Sequence, residues 1–348
     1  MAAPGRSGGL GIAVGRTLRT PEIGLLVALV VIGLGITLRE PRFLLPTNLE
    51  QVALSATLVC IVALGQALVI ITRQIDLSVG AIVACCAFIV GDRLEDNPGD
   101  SMALVLLLGC SVGAILGLIN GLLVAVARIP AIVATLGTLA VFRGLVIVWA
   151  GGRQISATVL PDRYQDMARI DILGVPMLVW LAAALTLLLG WAARNTRVGR
   201  NLYALGSNPE GARFVGISET WHVLGVFVLS GLLCGLTGVL WGARFGTVDA
   251  VLAPDMHLQS ISAVVVGGVS IFGGSGSVYG AALGAVILAV LQNGVQLLGI
   301  NQFWLEAVFG AAILGTVILY SLMARAIERA ERAARAAETG AAGHAVGR

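Results

Sequence analysis

The sequence lacks lysine altogether: all 22 basic residues among its 348 are arginine. The phosphate-binding loop of a Walker-type ATPase needs a lysine to reach the nucleotide, so this chain holds no standard ATPase site. Any ATP hydrolysis connected with the chain must therefore come from a partner. Charged residues are only 12% of the chain, and the net charge of +3 is too small to predict a nucleic-acid partner.

Groups for covalent chemistry or metal binding are also scarce. The chain has three histidines, and none of its five cysteines stands at metal-ligand spacing from one of them. All five cysteines lie in apolar runs, where they are expected to be small buried hydrophobes. The sequence shows no paired carboxylates and no nucleophile constellation. It therefore predicts neither an enzyme nor a metal site.

Apolar residues are abundant, at 57% of the chain, and the mean hydropathy is +0.95. A transmembrane helix needs about 20 predominantly apolar residues, and ten candidate segments have this character. They cover residues 22–38, 49–71, 75–91, 103–126, 129–150, 174–193, 221–243, 258–273, 278–299 and 304–323. The predicted fold is an all-α, polytopic membrane helix bundle with about ten transmembrane helices. Its predicted parts are a cytosolic segment 1–20, a transmembrane domain 21–323 and a cytosolic tail 324–348.

The distribution of arginine predicts the orientation of the bundle, because cytosolic loops carry an excess of positive charge. With the N-terminus inside, the segments assigned to the cytosol hold 14 arginines and those assigned to the outside hold 7. We therefore expect both termini in the cytosol of a multi-pass protein of the plasma (cell inner) membrane. The first helix is expected to be uncleaved, since no small-residue cleavage site follows it.

The longest polar stretch between two apolar runs is Thr196–Ile217. It is predicted to form a short helix from Val198 to Leu205, a break near Gly206, and a second short helix, since Pro209 suits a first helical position. Such a helix–turn–helix, exposed on the cytosolic side, is a surface that another protein can bind. The residues alone fit an ordinary arginine-rich cytosolic loop equally well.

Polar residues within or beside the predicted spans are candidates for lining a path across the membrane. Asp76 either lies beside such a path or caps the third helix. Arg143 either lines the path, pairs structurally or extends to the interface, while Thr135 and Thr138 can bond within their own helix. Asn293 either holds neighbouring helices together or contacts solute. The full set of path candidates is Asp76, Ser78, Asn120, Thr135, Thr138, Arg143 and Asn293.

Four motifs, in order along the chain, carry a family resemblance. Ile75–Gly80 reads Ile–Asp–Leu–Ser–Val–Gly, Thr135–Thr138 reads Thr–Leu–Gly–Thr, and Gly267–Val278 is rich in glycine and serine. Together with Thr196–Ile217, these motifs resemble the permease subunits of bacterial ATP-binding-cassette monosaccharide importers of the ribose, rhamnose and autoinducer-2 type. The resemblance covers nearly the whole chain, from the second span to the tenth.

The resemblance implies several partners. Two permease chains, the second being a copy or a paralogue, would form a central path and work by alternating access. A cytosolic ATPase subunit would bind ATP and magnesium, and an extracellular or periplasmic binding protein would deliver the sugar. This chain would bind no cofactor itself and would contact membrane lipid but no nucleic acid. Residues 194–220, called the coupling segment below, would dock on the ATPase. The coupling residues are Thr196, Gly199, Arg200, Tyr203, Ala204, Gly206, Asn208, Pro209, Ala212, Arg213, Gly216 and Ile217.

Two questions about function stay open at this point. Arg73 and Gln74 before Ile75 are more similar to permeases for rhamnose and the autoinducer-2 sugar than to ribose or xylose permeases, which more often have two glycines there. The alternative from another class is an ion-coupled secondary transporter that works without an ATPase. It would need a proton or sodium relay, for which Asp76 and Arg143 are the obvious candidates.

Overall fold

The structure, a computed structural model, describes residues 21–301, 303–311, 313–315 and 318. The predicted N-terminal segment 1–20 and the tail 324–348 lie outside the described residues. The helices are α1 (Pro21–Arg39), α2 (Pro46–Ile71), α3 (Val79–Asp96), α4 (Met102–Gly121), α5 (Ala131–Ala150), α6 (Asp162–Asp166), α7 (Met177–Asn195), α8 (Arg197–Ser207), α9 (Pro209–Phe214), α10 (Glu219–Phe245), α11 (Met256–Val266) and α12 (Val278–Leu297). A 3-10 turn at Pro41–Leu44 precedes α2, a π-helical turn at Leu122–Val126 extends α4, and helical residues resume at Trp304.

Seven of the described helices are long and apolar enough to cross a membrane, which agrees with the predicted helix bundle. They are α1, α2, α4 with its π-helical turn, α5, α7, α10 and α12. The remaining three predicted spans differ from the structure. The count of ten and the cytosolic location of both termini therefore remain predictions.

Two of these differences, in α3 and α11, have a physical reason. α3 begins at Val79 and not at residue 75, and its last turn carries Asp92, Arg93 and Asp96. α11 has 11 residues, so it is roughly 16 Å long, about half of the ~30 Å hydrocarbon core. Gly267 and Gly268 follow it, and Gly268 has a φ of 83°, which favours glycine and ends the helix. The span predicted at 304–323 runs past the described residues.

The centre of the bundle is formed by α2 and α3. Every residue from 56 to 72 and from 78 to 88 is buried. α10 packs against α2, α3 and α4, while α12 packs against α2 and α11. α1 and α5 lie at the rim, with most of their apolar side chains exposed. Core and rim helices have the same apolar composition, because a membrane solvates apolar side chains as well as a protein interior does.

Glycines bring α4 and α10 into backbone contact. A methyl group added at Gly113 of α4 would collide with the carbonyl oxygen of Gly231, and one added at Gly117 would collide with that of Phe227. Gly235 of α10 lies in the same way against Gly109. Small residues at such positions are what allows two membrane helices to approach closely.

The connections gather at two ends of the bundle. Glu22 near the start of α1 accepts a hydrogen bond from Arg194 at the end of α7 (3.1 Å), so α1 starts at the end that carries the coupling segment. We call this the coupling end. At the opposite end, Arg153 donates to Asp92 (2.9 Å). The chain there also forms two short strands, β1 (Asp171–Ile172) and β2 (Val175–Pro176), which pair antiparallel. These strands are a small departure from the all-α prediction.

Candidate functional site

The coupling segment folds as the predicted pair of short helices, α8 and α9. The Thr196 hydroxyl accepts a hydrogen bond from the Gly199 amide (3.0 Å) and so caps the start of α8. The Asn208 side chain caps α9 in the same way through the Gly211 amide (3.0 Å). Pro209 occupies the first turn of α9 and disfavours a helical conformation at Asn208. The break between the two helices therefore follows from local sequence.

The end of α8 makes a backbone junction with two other parts of the coupling end. The Gly274 amide donates to the carbonyl oxygen of Ile71, the last residue of α2 (2.9 Å). Gly206 lies so close that a methyl group added there would collide with the Ile71 carbonyl and the Gly274 amide. The Ser207 hydroxyl donates to the Gly274 carbonyl (3.2 Å). These contacts join α8 directly to α2 and to the connection that leads into α12.

Arg73 stabilises this junction through two hydrogen bonds. It was not among the coupling residues named from the sequence. Its Nε donates to the Gly206 carbonyl (2.5 Å) and its Nη2 to the Ser207 carbonyl (2.9 Å). A guanidinium suits the task because its planar fork can meet two acceptors at once. The sequence signal was its place as the only basic residue between α2 and α3. We call Ile71, Arg73, Gly206, Ser207 and Gly274 the inner junction.

The other coupling residues divide into those that face the bundle and those that are exposed. Gly199 and Ala212 are buried, and the Tyr203 hydroxyl donates to the Gly276 carbonyl (3.1 Å). Burial raises the pKa of Tyr203, so its hydroxyl remains a neutral donor. Arg200 and Arg213 are exposed. Gly206 is also buried, while Asn208 and Gly216 are exposed, and Gly216 has a φ of 81°. The half-buried coupling residues are Thr196, Ala204, Pro209 and Ile217.

The tip of α9 exposes an apolar pair that sequence reasoning missed. Phe214 is 90% exposed and Val215 is 75% exposed. Apolar side chains this exposed on a polar segment mark a surface that contacts another molecule. The sequence signal was an apolar doublet directly after Arg213, inside a stretch that is otherwise mostly polar.

A cleft of about 560 Å³ separates α9 from the bundle. Arg213 and Ile217 line it on one side, and Gln74, Arg128 and Val223 line it on the other. The coupling segment is therefore attached to the bundle along α8, while α9 stands partly apart.

Five of the seven path candidates form one buried polar cluster where the α2–α3 connection enters the bundle. Asp76 Oδ1 accepts from the Ser78 amide (2.9 Å) and hydroxyl (2.6 Å). The Asn120 amide donates to Ser78 Oγ (2.7 Å), and the Thr138 hydroxyl donates to Asn120 Oδ1 (2.7 Å). The Thr135 hydroxyl completes the group by accepting from the Leu77 amide (3.1 Å). It donates within its own helix to the Ala131 carbonyl (2.8 Å), as the sequence suggested, and shares that proton with the Ile75 carbonyl (3.2 Å).

This polar cluster satisfies backbone groups of a non-helical segment inside the bundle. Irregular backbone at membrane depth is stable only where protein groups or water pair with it, and Thr135 supplies both a donor and an acceptor to residues 75–77. The predicted capping role of Asp76 was wrong in detail, because Asp76 Oδ1 bonds to Ser78 and not to first-turn amides of α3. Among the described residues, none donates a hydrogen bond to the buried Asp76 Oδ2.

The other two path candidates lie away from the cluster. Arg143 Nη1 donates to the carbonyl oxygens of Ala250 (3.1 Å) and Leu252 (2.9 Å) and so holds the α10–α11 connection. Asn293 exchanges hydrogen bonds with Asn48 at the start of α2 (2.8 and 3.0 Å). Of the alternatives left open for these residues, the geometry fits structural pairing for Arg143 and helix-to-helix bonding for Asn293.

Metal-binding chemistry is not assembled in the part of the chain that the structure describes. No group of three or more His, Cys, Asp or Glu side chains converges there in a way that could hold a metal ion. The five cysteines are free thiols, and four of them are buried in the apolar core.

Comparisons with known proteins place the chain among transport proteins. Residues 48–317 match the family described as "Branched-chain amino acid transport system / permease component". The chain is 35% identical over 316 residues to the autoinducer 2 import system permease protein LsrC of Klebsiella pneumoniae subsp. pneumoniae, covering 91% of each chain. It is 34% identical over 308 residues to the LsrC proteins of Salmonella typhi, at 88% of each chain, and of Escherichia coli, at 88% of this chain and 89% of that one. No solved structure matches it.

Proposed function

Since this chain belongs to the family of permease components of branched-chain amino acid transport systems, we propose that it forms half of the membrane path of an ATP-driven monosaccharide importer. Family membership confirms the resemblance drawn from the four sequence motifs. It also confirms that the chain is a transport subunit and not an enzyme, and that it is a multi-pass protein of the inner membrane.

The proposed cargo is a rhamnose-like or autoinducer-2-like sugar, in preference to ribose or xylose. Two observations support this choice. The relatives compared above are named as autoinducer 2 permeases, and Arg73 and Gln74 stand where ribose- and xylose-type permeases more often have two glycines. Since the family description names branched-chain amino acids, leucine is the necessary comparison cargo.

The proposed partners are a cytosolic ATPase, which binds ATP and magnesium, and a binding protein on the other side of the membrane. A second permease, either a copy of this chain or a paralogue, would complete the path. The observation that carries the proposal is the inner junction. It joins the exposed coupling segment to α2, the most buried helix of the bundle. The backbone contacts are so close that they leave no room for a methyl group at Gly206.

The mechanism follows from that connection. When the ATPase closes, it displaces α8 and α9. Gly206, Ser207 and Arg73 pass the displacement to the end of α2. Because the polar cluster ties the α2–α3 connection to α4 and α5, those helices move together, and the path opens alternately to each side.

The alternative of an ion-coupled transporter has less support from the described residues. Among them, Asp76 is the one charged side chain that is fully buried. Arg143, the other candidate for a relay, is occupied by two backbone carbonyls. A proton relay through this bundle would need a second titratable group close to Asp76.

A transport assay with purified components tests the proposed function. The chain would be reconstituted in proteoliposomes with its ATPase, its binding protein and internal ATP. Uptake of labelled autoinducer-2 sugar, rhamnose, ribose, xylose and leucine would then be compared. We expect ATP-dependent accumulation of one of the first two sugars. Equal or faster uptake of leucine would contradict the proposed cargo, and uptake independent of ATP would contradict the mechanism.

A further inference from the structure

A long apolar groove of about 640 Å³ runs between α2, α7 and α12. On α2 it extends from Leu49 to Cys60, which is roughly 17 Å along the helix axis and more than half of the ~30 Å hydrocarbon core. Ala183 and Leu187 line it on α7, and Val286 lines it on α12. The groove is therefore elongated and follows the direction of the membrane-spanning helices.

The three polar side chains that α2 and α7 contribute to the groove already have partners within the described residues. The Thr57 hydroxyl donates to the Ala53 carbonyl (2.9 Å), and the Thr186 hydroxyl donates to the Ala182 carbonyl (2.7 Å). Cys60 Sγ lies 3.7 Å from Thr186 Oγ1. A sugar or a chain of water molecules would lose hydrogen bonds on entering such a surface. The occupant that the groove favours is therefore apolar.

The coupling end of the groove is polar and carries the Glu22–Arg194 ion pair. Glu22 and Tyr279 line this end, and Arg194 contacts both, with its guanidinium carbon 5.0 Å from the centre of the Tyr279 ring. Arg194 Nη2 donates to Glu22 and to Ser277. Within the described residues, no acceptor pairs with its Nε or Nη1, and the side chain is 55% exposed.

We propose that the groove binds one acyl chain of an anionic phospholipid whose phosphate contacts Arg194. Glu22 and Ser277 accept hydrogen bonds from only one nitrogen of Arg194, so its Nε and Nη1 groups remain to donate to the phosphate. Guanidinium groups near a membrane surface attract anionic lipid headgroups, and each buried methylene adds to the affinity. The lipid would fill the space between α2 and α7 and so join the most buried helix to the helix that leads into the coupling segment.

Native mass spectrometry of the purified full chain tests this site. Detergent-solubilised protein would be titrated with phosphatidylglycerol or phosphatidylcholine of the same acyl chains. Ala183→Trp fills the groove, whereas Ala184→Trp places the same residue at an exposed neighbouring position of α7 that does not line it. We expect Ala183→Trp to reduce phosphatidylglycerol retention about tenfold or more, and Ala184→Trp to behave as wild type.

Arg194→Gln tests the headgroup contact separately. We expect it to lower the preference for phosphatidylglycerol over phosphatidylcholine about fivefold, with retention of the acyl chain in the groove. If Ala183→Trp fails to fold, a phosphatidylglycerol with a photoreactive acyl chain gives an independent measurement on the wild type, with labels expected on α2, α7 and α12. Wild-type retention of phosphatidylglycerol in Ala183→Trp, or labelling outside α2, α7 and α12, would overturn the proposal.

Discussion

At the scale of single residues, the coupling segment depends on positions where a side chain has no room. Gly206 is in contact with two backbone groups from other parts of the chain, the Ile71 carbonyl and the Gly274 amide. Gly274 has a φ of 72°, a conformation that favours glycine. A contact made of backbone atoms cannot adjust by changing rotamers. We therefore expect a displacement of α8 to displace the end of α2 as well.

Replacement of Gly206 by alanine is expected to uncouple transport. Forcing a methyl group into this contact costs about 1–3 kcal/mol, so ATP-driven uptake should fall by roughly tenfold or more. Membrane insertion should remain normal, since the site lies outside the spans. Gly225→Ala is the matched control, because a Cβ added there meets no atom within 4 Å. Normal uptake by Gly206→Ala, or an equal loss in Gly225→Ala, would contradict the role of the inner junction.

The guanidinium fork of Arg73 is expected to matter more than its charge. Arg73→Lys keeps the positive charge but cannot meet the Gly206 and Ser207 carbonyls in the same way, and a charged hydrogen bond contributes roughly 1.5–3 kcal/mol. We expect slower uptake and ATP hydrolysis that responds less to the loaded binding protein.

Arg128→Lys is the control for Arg73→Lys. Arg128 is exposed at the coupling end, has a positive φ of 58° as Arg73 has one of 65°, and makes no side-chain hydrogen bond to the described residues. Equal kinetics in the two variants would contradict a specific role for the guanidinium fork of Arg73.

At the scale of secondary-structure elements, the polar cluster replaces helical hydrogen bonds where the chain between α2 and α3 is not helical. Thr138 donates from α5 to Asn120 of α4, and Asn120 donates to Ser78 at the start of α3. These bonds connect three helices at one level, so the cluster is expected to stabilise the bundle besides any contact with solute.

Thr138→Val tests that structural role. The substitution removes the donor to buried Asn120 Oδ1 and should lower the free energy of unfolding in detergent by about 1–3 kcal/mol. Thr237→Val is the control, because the buried Thr237 hydroxyl donates to Leu233 within its own helix (2.9 Å), and its loss should cost less than about 1 kcal/mol. Equal destabilisation of the two variants would argue against a connecting role for the cluster.

The sequence predicts elements well where the signal is local. Asn208 followed by Pro209 marks the break between α8 and α9, and Thr196 marks the cap of α8. The start of α3 was predicted too early because Ile75 and Leu77 are apolar and fit a helix. Their backbone groups are instead paired by Thr135, which is 58 residues from Leu77 in sequence. No local pattern contains that information.

At the scale of the whole molecule, the sequence predicts a helix bundle but not the arrangement of its helices. α1 and α2 are both apolar, yet α2 lies in the core and α1 lies at the rim. Membrane and protein interior select the same residues, so hydropathy cannot separate them. Likewise, the sequence names seven polar path candidates, but only the three-dimensional structure shows that five of them form one cluster and that Arg143 and Asn293 lie apart from it.

Whether this chain or a partner supplies the energy for transport is also a question for the whole molecule. The chain has no lysine for a phosphate-binding loop, and Asp76 is the one fully buried charge among its described residues. An exposed segment joined rigidly to its central helix gives it a means of using mechanical work from a partner. The exposed Phe214 and Val215 provide apolar surface for that partner.

Solute accumulation in proteoliposomes, with and without the ATPase, tests the central claim most directly. One set of vesicles would contain this permease with its ATPase, binding protein and internal ATP, and the other would contain the permease alone under an imposed proton or sodium gradient. Accumulation of the sugar against its gradient is predicted only in the first set. Accumulation by the permease alone on the ion gradient would contradict the account.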